Sequence, residues 1–289
     1  MVRAAPVIFL VLWSGGYAAA KVGLPYTGPF TFLALRYIVA LLILVPVVLI
    51  TRPAWPRTRE AWQHVLIVGF GIQVAYFGLS YVAFDLDLSA GAVALITSLQ
   101  PILVALFAPR VTGERVTSMR WVGLALGLSG AAIVIGARSA IEAESWWGIV
   151  AACGALISMS AVTLYEKRYG GGTHPVPANA IGFALGIVVF APIALLAEGF
   201  AFDVTTRSVA SLAYLAIGNS LISITLLLAM IRRGEASRVS ALLFLVPPGA
   251  AVIAWIVLGE QMPLLAWPGM ALAAAGVYIA TRRPVPQPA

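Results

Sequence analysis

The sequence predicts an all-α polytopic membrane protein with ten transmembrane helices arranged as two inverted five-helix repeats. Three observations lead there. Of 289 residues, 61% are apolar and 10% charged, against about 45 to 50% and about 25% in soluble domains. Apolar stretches of about 20 residues, the length a helix needs to cross hydrocarbon, recur along the whole chain. Basic residues gather in alternate joints between those stretches.

The first stretch, Pro6 to Val22, contains LVLWSGGYAAAK (10–21). With Arg3 ahead of it and an alanine tail, it has the outline of a cleavable secretory signal. The repeat described below makes retention the expectation. The further spans are Phe30 to Ile50, Trp62 to Ala83, Ser89 to Pro109, Thr117 to Ala137, Trp146 to Glu166, Pro177 to Ala197, Val209 to Ile231, Ala236 to Leu258 and Pro263 to Thr281. The joints, such as TRPAWPRTRE (51–60) and YGGGTHPVP (169–177), hold breaker residues and are too short for domains. Residues 284–289 read as a disordered tail.

With the N-terminus inside, the inner joints collect Arg3, Arg52, Arg57, Arg59, Arg110, Arg115, Arg120, Lys167, Arg168, Arg232, Arg233, Arg238, Arg282 and Arg283. The outer ends hold Lys21, Arg138 and Arg207, and Arg36 lies within a span. The positive-inside rule then places both termini in the cytoplasm. A formal net charge of +7 is thus a topology signal that meets anionic lipid headgroups of the bilayer, and no nucleic-acid partner is implied. One cysteine, Cys153, and two histidines, His64 and His174, supply neither a disulfide framework nor an ordinary metal-ligand set. Cys153 is expected to be a buried thiol, and no metal or other cofactor is expected.

An offset of 146 residues aligns Pro101 with Pro247, Gly113-Glu114 with Gly259-Glu260, Trp121 with Trp267, Gly123 with Gly269 and Gly130 with Gly276, without a gap. It also carries Ser14 onto Ser160 and Lys21 onto Lys167. The first helix therefore has a twin in the sixth and belongs to the fold. Residues 1–137 form the first unit and 138–283 the second. Five spans per unit is odd, so the second unit enters the bilayer in the opposite sense, as in many secondary transporters.

Polar side chains in hydrocarbon are costly and face a cavity or another helix. In span 3, Gln73, Tyr76 or Phe77, and Ser80 share one face; in span 8, Asn219 and Ser223 do, and the offset superposes Gln73 on Asn219. Each amide offers donors and an acceptor to a neutral or zwitterionic ligand, or else bonds a neighbouring helix. Pro101 and the pair Pro247 and Pro248 lie near the middle of spans 4 and 9, where they can kink the helix and free the carbonyls of Thr97, Leu243 and Phe244. Trp13, Tyr17 and Lys21 form a stripe, for packing or for stacking on a substrate. Arg36 lies roughly 9 Å below the outer boundary of span 2, where Asp85 or Asp87 can pair with it, or a substrate carboxylate can. Glu114 and Glu260 sit at span ends as loop anchors or caps. Gly123 and Gly127 in span 5, with Gly269, Ala273 and Gly276 in span 10, let helices approach closely within one chain or in a homodimer.

YVAFDLDLSAGAVALITSLQPILVAL (81–106) with GER (113–115), and RRGEASRVSALLFLVPPGAAVIAWIVLGE (232–260), resemble the EamA repeats of the drug/metabolite transporter superfamily. Trp13-Ser14-Gly15 and Arg36 are similar to signals of that family's first repeat. Arg36 aligns with Gly182 and so lacks a counterpart in the second half. The resemblance implies a central cavity lined by spans 1, 3, 4, 6, 8 and 9, alternating access, and export of amino acids, drugs or other small metabolites across the inner membrane. A membrane enzyme is disfavoured because no nucleophile with a base, metal set or phosphate loop stands out. A non-transporting partner or lipid-handling protein is the alternative.

Overall fold

The computed structural model describes residues 4–86, 88, 93, 96–138, 145–170, 173–234, 236–258 and 263–281. Helices dominate, and the described residues pair as strands only in an isolated bridge between Thr27 and Phe202. The long helices are α1 (Ala5–Gly23), α2 (Pro29–Thr51), α3 (Arg59–Asp85), α6 (Trp146–Tyr169), α7 (Pro175–Ala197) and α8 (Thr206–Arg233). These six have the length and hydropathy to cross a membrane. Their bounds match the sequence spans to within three residues.

The remaining apolar helices are shorter as described. They are α4 (Gln100–Val111), α5 (Ser118–Arg138), α9 and α10 (Ala266–Thr281). Helix α9 is broken into Ala236–Ala241, a 3₁₀ turn Leu242–Leu245, and Val246–Leu258. Here the structure refines the sequence reading. Pro101 does not kink a continuous helix: a turn at 98–99 precedes it, and it occupies the first turn of α4. Pro247 and Pro248 likewise sit in the first turn of the last α9 segment. The first N–H groups of a helix have no intrahelical partner, so a proline there loses nothing and starts the helix.

Helices α3 and α8 each contain a π-helical turn, Phe70–Tyr76 and Tyr214–Ser223. The 146-residue offset maps the first inside the second. Such turns commonly mark functional positions.

Helix starts are capped from distant elements. Glu198, at the end of α7, accepts hydrogen bonds from the N–H groups of Phe30 (3.0 Å) and Thr31 (2.7 Å) and from the Thr31 hydroxyl (2.6 Å), at the start of α2. Glu114 does the same for α9 through the N–H of Ala236 (2.6 Å) and Ser237 (3.3 Å). A carboxylate at a helix N-terminus satisfies orphan donors and complements the dipole. The capping role expected of Glu114 is thus what the structure has, although it caps a helix of the other half. Glu260 and Asp87 lie outside the described residues, as do Arg282, Arg283 and the tail. Glu198→Ala should lower stability by about 1 to 2 kcal/mol, measured as a lower Tm in detergent.

Helices α5 and α10 pack backbone to backbone. A Cβ on Gly123 would lie 2.5 Å from the Ala280 nitrogen and 2.7 Å from the Gly276 oxygen, and one on Gly130 would lie 2.6 Å from the Gly269 oxygen. The ridges of small residues expected from sequence therefore meet each other inside the chain. Cys153, expected to be buried, is exposed. On α6 it sits opposite the buried face of Ala151, Ala152 and Ala155, where an apolar thiol costs nothing against lipid.

Candidate functional site

Arg36 organises the centre of the bundle. Its side chain is 1% exposed. The guanidinium donates from Nε to Ser220 Oγ (2.5 Å) and from Nη2 to Asn219 Oδ1 (2.7 Å), and it stacks over Phe77 with Cζ 4.1 Å from the ring centre. Among the described residues no carboxylate pairs with it: Asp85 does not, and Asp87, the alternative partner, lies outside them. The π-helical turn of α8 explains the substitute, because its wider coil lets the consecutive residues Asn219 and Ser220 both reach α2.

Two small cavities flank this point. One, of about 50 Å³, is lined by Trp13, Gly16, Arg36, Tyr76, Phe77, Ser80, Tyr81 and Asn219, among others. The second, of about 20 Å³, lies where α4 and α9 break, between Trp13, Tyr76, Ser98, Gln100, Met159, Leu243 and Pro247. Trp13 and Tyr76 line both. Their rings stack at 6.2 Å between centres and 26° between planes, and form the partition. A water needs about 10 to 15 Å³ on this scale, so the first cavity holds a few waters and the second one or two. At these volumes neither has room for an organic ligand.

The sequence WSGG is accounted for by close packing of α1. A Cβ on Gly16 would lie 2.6 Å from Asn219 Nδ2, and the Tyr214 hydroxyl, lying over Gly15, donates to the Leu12 carbonyl at 3.2 Å. Ser14 faces α9, where a Cβ on Gly249 would lie 2.5 Å from its Oγ. Trp13 packs on Phe9 and Phe77 as well as Tyr76. The side chains of Tyr17 and Lys21 lie outside the described residues.

The remaining sequence candidates divide. Tyr76, Ser80 and Asn219 meet at the Arg36 cavity, although the Ser80 hydroxyl donates back to the Tyr76 carbonyl (2.7 Å). Ser223 is fully buried and its hydroxyl finds no partner among the described residues. Gln73 is not brought to the same cavity as Asn219. It faces α7, where Gly69 and Gly182 touch, and lines a third cavity with His64, Glu166, Asn179 and Arg232. Its backbone carbonyl accepts from the Tyr37 hydroxyl (2.7 Å), and its Oε1 is buried without a partner among the described residues. A glycine thus faces each side chain, Gly16 the amide of Asn219 and Gly182 the Cγ of Gln73.

Sequence reasoning missed the charged group at this third cavity. Glu166, 0% exposed, joins His64 Nε2 (2.9 Å) to Arg232 Nε. Arg232 also donates to the Thr173 carbonyl (2.7 Å). The available signal was a histidine one turn inside an apolar span.

The fold and these buried polar centres define an integral membrane protein of the polytopic helical class. The family model described as the EamA-like transporter family matches residues 5–136 and again 146–282. The chain belongs to that family, and it is an EamA-type transporter. It is 25% identical over 277 residues to an uncharacterized transporter, YvbV, of Bacillus subtilis, covering 93% of this chain and 88% of that one. It is 28% identical to a probable terminal-alkyne amino-acid exporter of Streptantibioticus cattleyicolor, covering 96% and 92%. A probable amino-acid metabolite efflux pump of Salmonella typhimurium is 25% identical, with 94% and 92% covered. A crystal structure at 21% identity superposes with a TM-score of 0.81 over 96% of both chains, which supports the fold.

Proposed function

We propose that this transporter exports small amphipathic carboxylates of the amino-acid type by alternating access. The observation that carries the reading is Arg36: a buried guanidinium, held by neutral groups and ringed by Trp13, Tyr76 and Phe77. Among the described residues it has no counter-charge, a costly state for a buried charge, and a ligand carboxylate supplies one in bidentate form. The aromatic rings offer the apolar part of the ligand its contacts. Three relatives named as amino-acid exporters or efflux pumps support this class.

The architecture we infer is two five-helix halves of opposite sense in an inner membrane, with both termini cytoplasmic. The twofold match to one family model and the corresponding π-helical turns support it, as does the basic bias of alternate joints. The small cavity at Arg36 belongs to a closed state. The Trp13–Tyr76 partition and the helix starts at Pro101, Pro247 and Pro248 are then the parts that must move to admit a ligand, with Gln73, Ser80 and Ser223 as further polar contacts on its way.

Reconstituted protein should move radiolabelled leucine or phenylalanine down an imposed gradient, and the corresponding amino-acid amides poorly. Equal flux of acid and amide would remove the carboxylate from the recognition. Gln73→Ala combined with Asn219→Ala should reduce flux at least tenfold, about 1.4 kcal/mol, in protein that still elutes as a folded species. Unchanged flux would assign both amides to helix packing.

A further inference from the structure

A cavity of about 390 Å³ lies between α1, α8 and α9, away from the Arg36 site. Its α1 wall is Gly15, Ala18, Ala19 and Val22, whereas Trp13, Gly16 and Ala20 line the cavity at Arg36. At about 100° of rotation per residue, the two sets fall on opposite sides of α1. The helix is the wall between them, so this cavity is a groove that looks outward, toward lipid. Val209 and Ile217, large apolar side chains exposed on the same stretch of α8, agree with that.

The groove has the polarity of an amphiphile. Along its length the walls are small or apolar, with Ile253 added from α9, and the two hydroxyls on its α8 side already donate to α1: Ser211 to the Ala19 carbonyl (2.5 Å) and Tyr214 to the Leu12 carbonyl (3.2 Å). At one end the lining changes to Thr206 and Arg207, both exposed, in the first turn of α8. Among the described residues no carboxylate pairs with Arg207, and Asp203, four positions before it, does not. The Thr205 hydroxyl caps that turn at the N–H of Ser208 (3.1 Å), which leaves further N–H groups of the helix start to an outside acceptor. A cation and the positive end of a helix dipole thus stand at the mouth of an apolar groove.

Length fits as well. From Val22 to Gly15 the groove follows α1 for about 10 Å, and from Thr206 to Tyr214 it follows α8 for about 12 Å, within the roughly 15 Å of hydrocarbon that one leaflet provides. A free anion would meet the charge and leave the apolar walls without a partner. A neutral lipid would meet the walls and leave Arg207 without one.

We propose that this groove is a binding site for one anionic phospholipid, with its phosphate on Arg207 and the start of α8 and an acyl chain lying between α1 and α8. The site is independent of the transport reading. Because the other side of α1 lines the Arg36 cavity, the bound chain braces that wall from behind.

The test uses the full chain in nanodiscs that contain phosphatidylglycerol or phosphatidylcholine bearing a photoreactive diazirine in one acyl chain, with the insertion sites mapped by peptide mass spectrometry. Segments 15–22 and 206–214 should be labelled about fivefold more by phosphatidylglycerol than by phosphatidylcholine, the preference expected of one cation at the headgroups. Arg207→Gln, at an exposed position, should bring the two lipids to the same level. Ala210→Phe fills the groove from an exposed position of α8 and should lower labelling by both lipids at least fivefold, in protein whose Tm stays within about 2 °C. Ala18→Leu fills the same groove from α1 and replaces that variant if it folds poorly. Excess free glycerol phosphate should not compete. The proposal is overturned if both lipids label these segments alike, as ordinary surrounding lipid would, if Arg207→Gln keeps the preference, if a filled groove is labelled as before, or if glycerol phosphate alone displaces the lipid.

Discussion

Arg36→Gln should lower leucine flux on the order of 10²-fold while leaving flux of the leucine amide within about threefold of its starting value. The first figure corresponds to about 2.7 kcal/mol, inside the range for removing one member of a buried hydrogen-bonded charge pair. Glutamine still reaches Asn219 or Ser220 by a neutral hydrogen bond, so the α2–α8 contact survives and folding is retained. Arg36→Lys keeps the charge but not the planar fork that satisfies Ser220 and Asn219 together, and should fall between the two. Flux is measured in proteoliposomes against protein orientation and amount. Equal losses for acid and amide would make Arg36 a structural residue only.

Gly276→Leu should give the largest loss of folded protein. A Cβ at this position meets the α5 backbone at Gly123 (2.7 Å from its oxygen) and at Gly127. Backbone cannot turn aside as a flexible side chain can, so the strain belongs at or above the upper end of the roughly 1 to 3 kcal/mol found for overpacked cores. A Tm lower by roughly 10 °C, with reduced yield, is expected. Gly136, whose Cβ would meet nothing within 4 Å, is the control, and Gly136→Ala should change Tm by no more than about 2 °C. Similar behaviour of the two variants would contradict the backbone contact.

The long helices were legible because an apolar run of membrane length admits few other structures. Pro101, Pro247 and Pro248 marked the right places, but hydropathy does not show that a turn at 98–99 and the 3₁₀ stretch Leu242–Leu245 interrupt the α-helix just ahead of them. Arg36, Trp13 and Asn219 were legible as polar or aromatic residues set in hydrocarbon. Their partners were not, because Asn219 lies 183 residues from Arg36 and only the π-helical turn decides which side chains of α8 face α2. Glu166 was hidden for a different reason. At the end of a span it reads as solvated, and only the closing of Gly170 above it and Arg232 beside it makes it buried.

Capping across the molecule has a consequence for biogenesis. Glu198 completes the start of α2, Glu114 completes the start of α9, and Glu166 joins His64 to Arg232. A ribosome that has released α2 has therefore delivered a helix whose start awaits Glu198, and α9, when it emerges, must find Glu114 in the half already made. Severed fragments of this chain should mature only when made together in the same cell, and a chimera that borrows half its length from a relative should fail unless these acidic partners travel with the helices they serve.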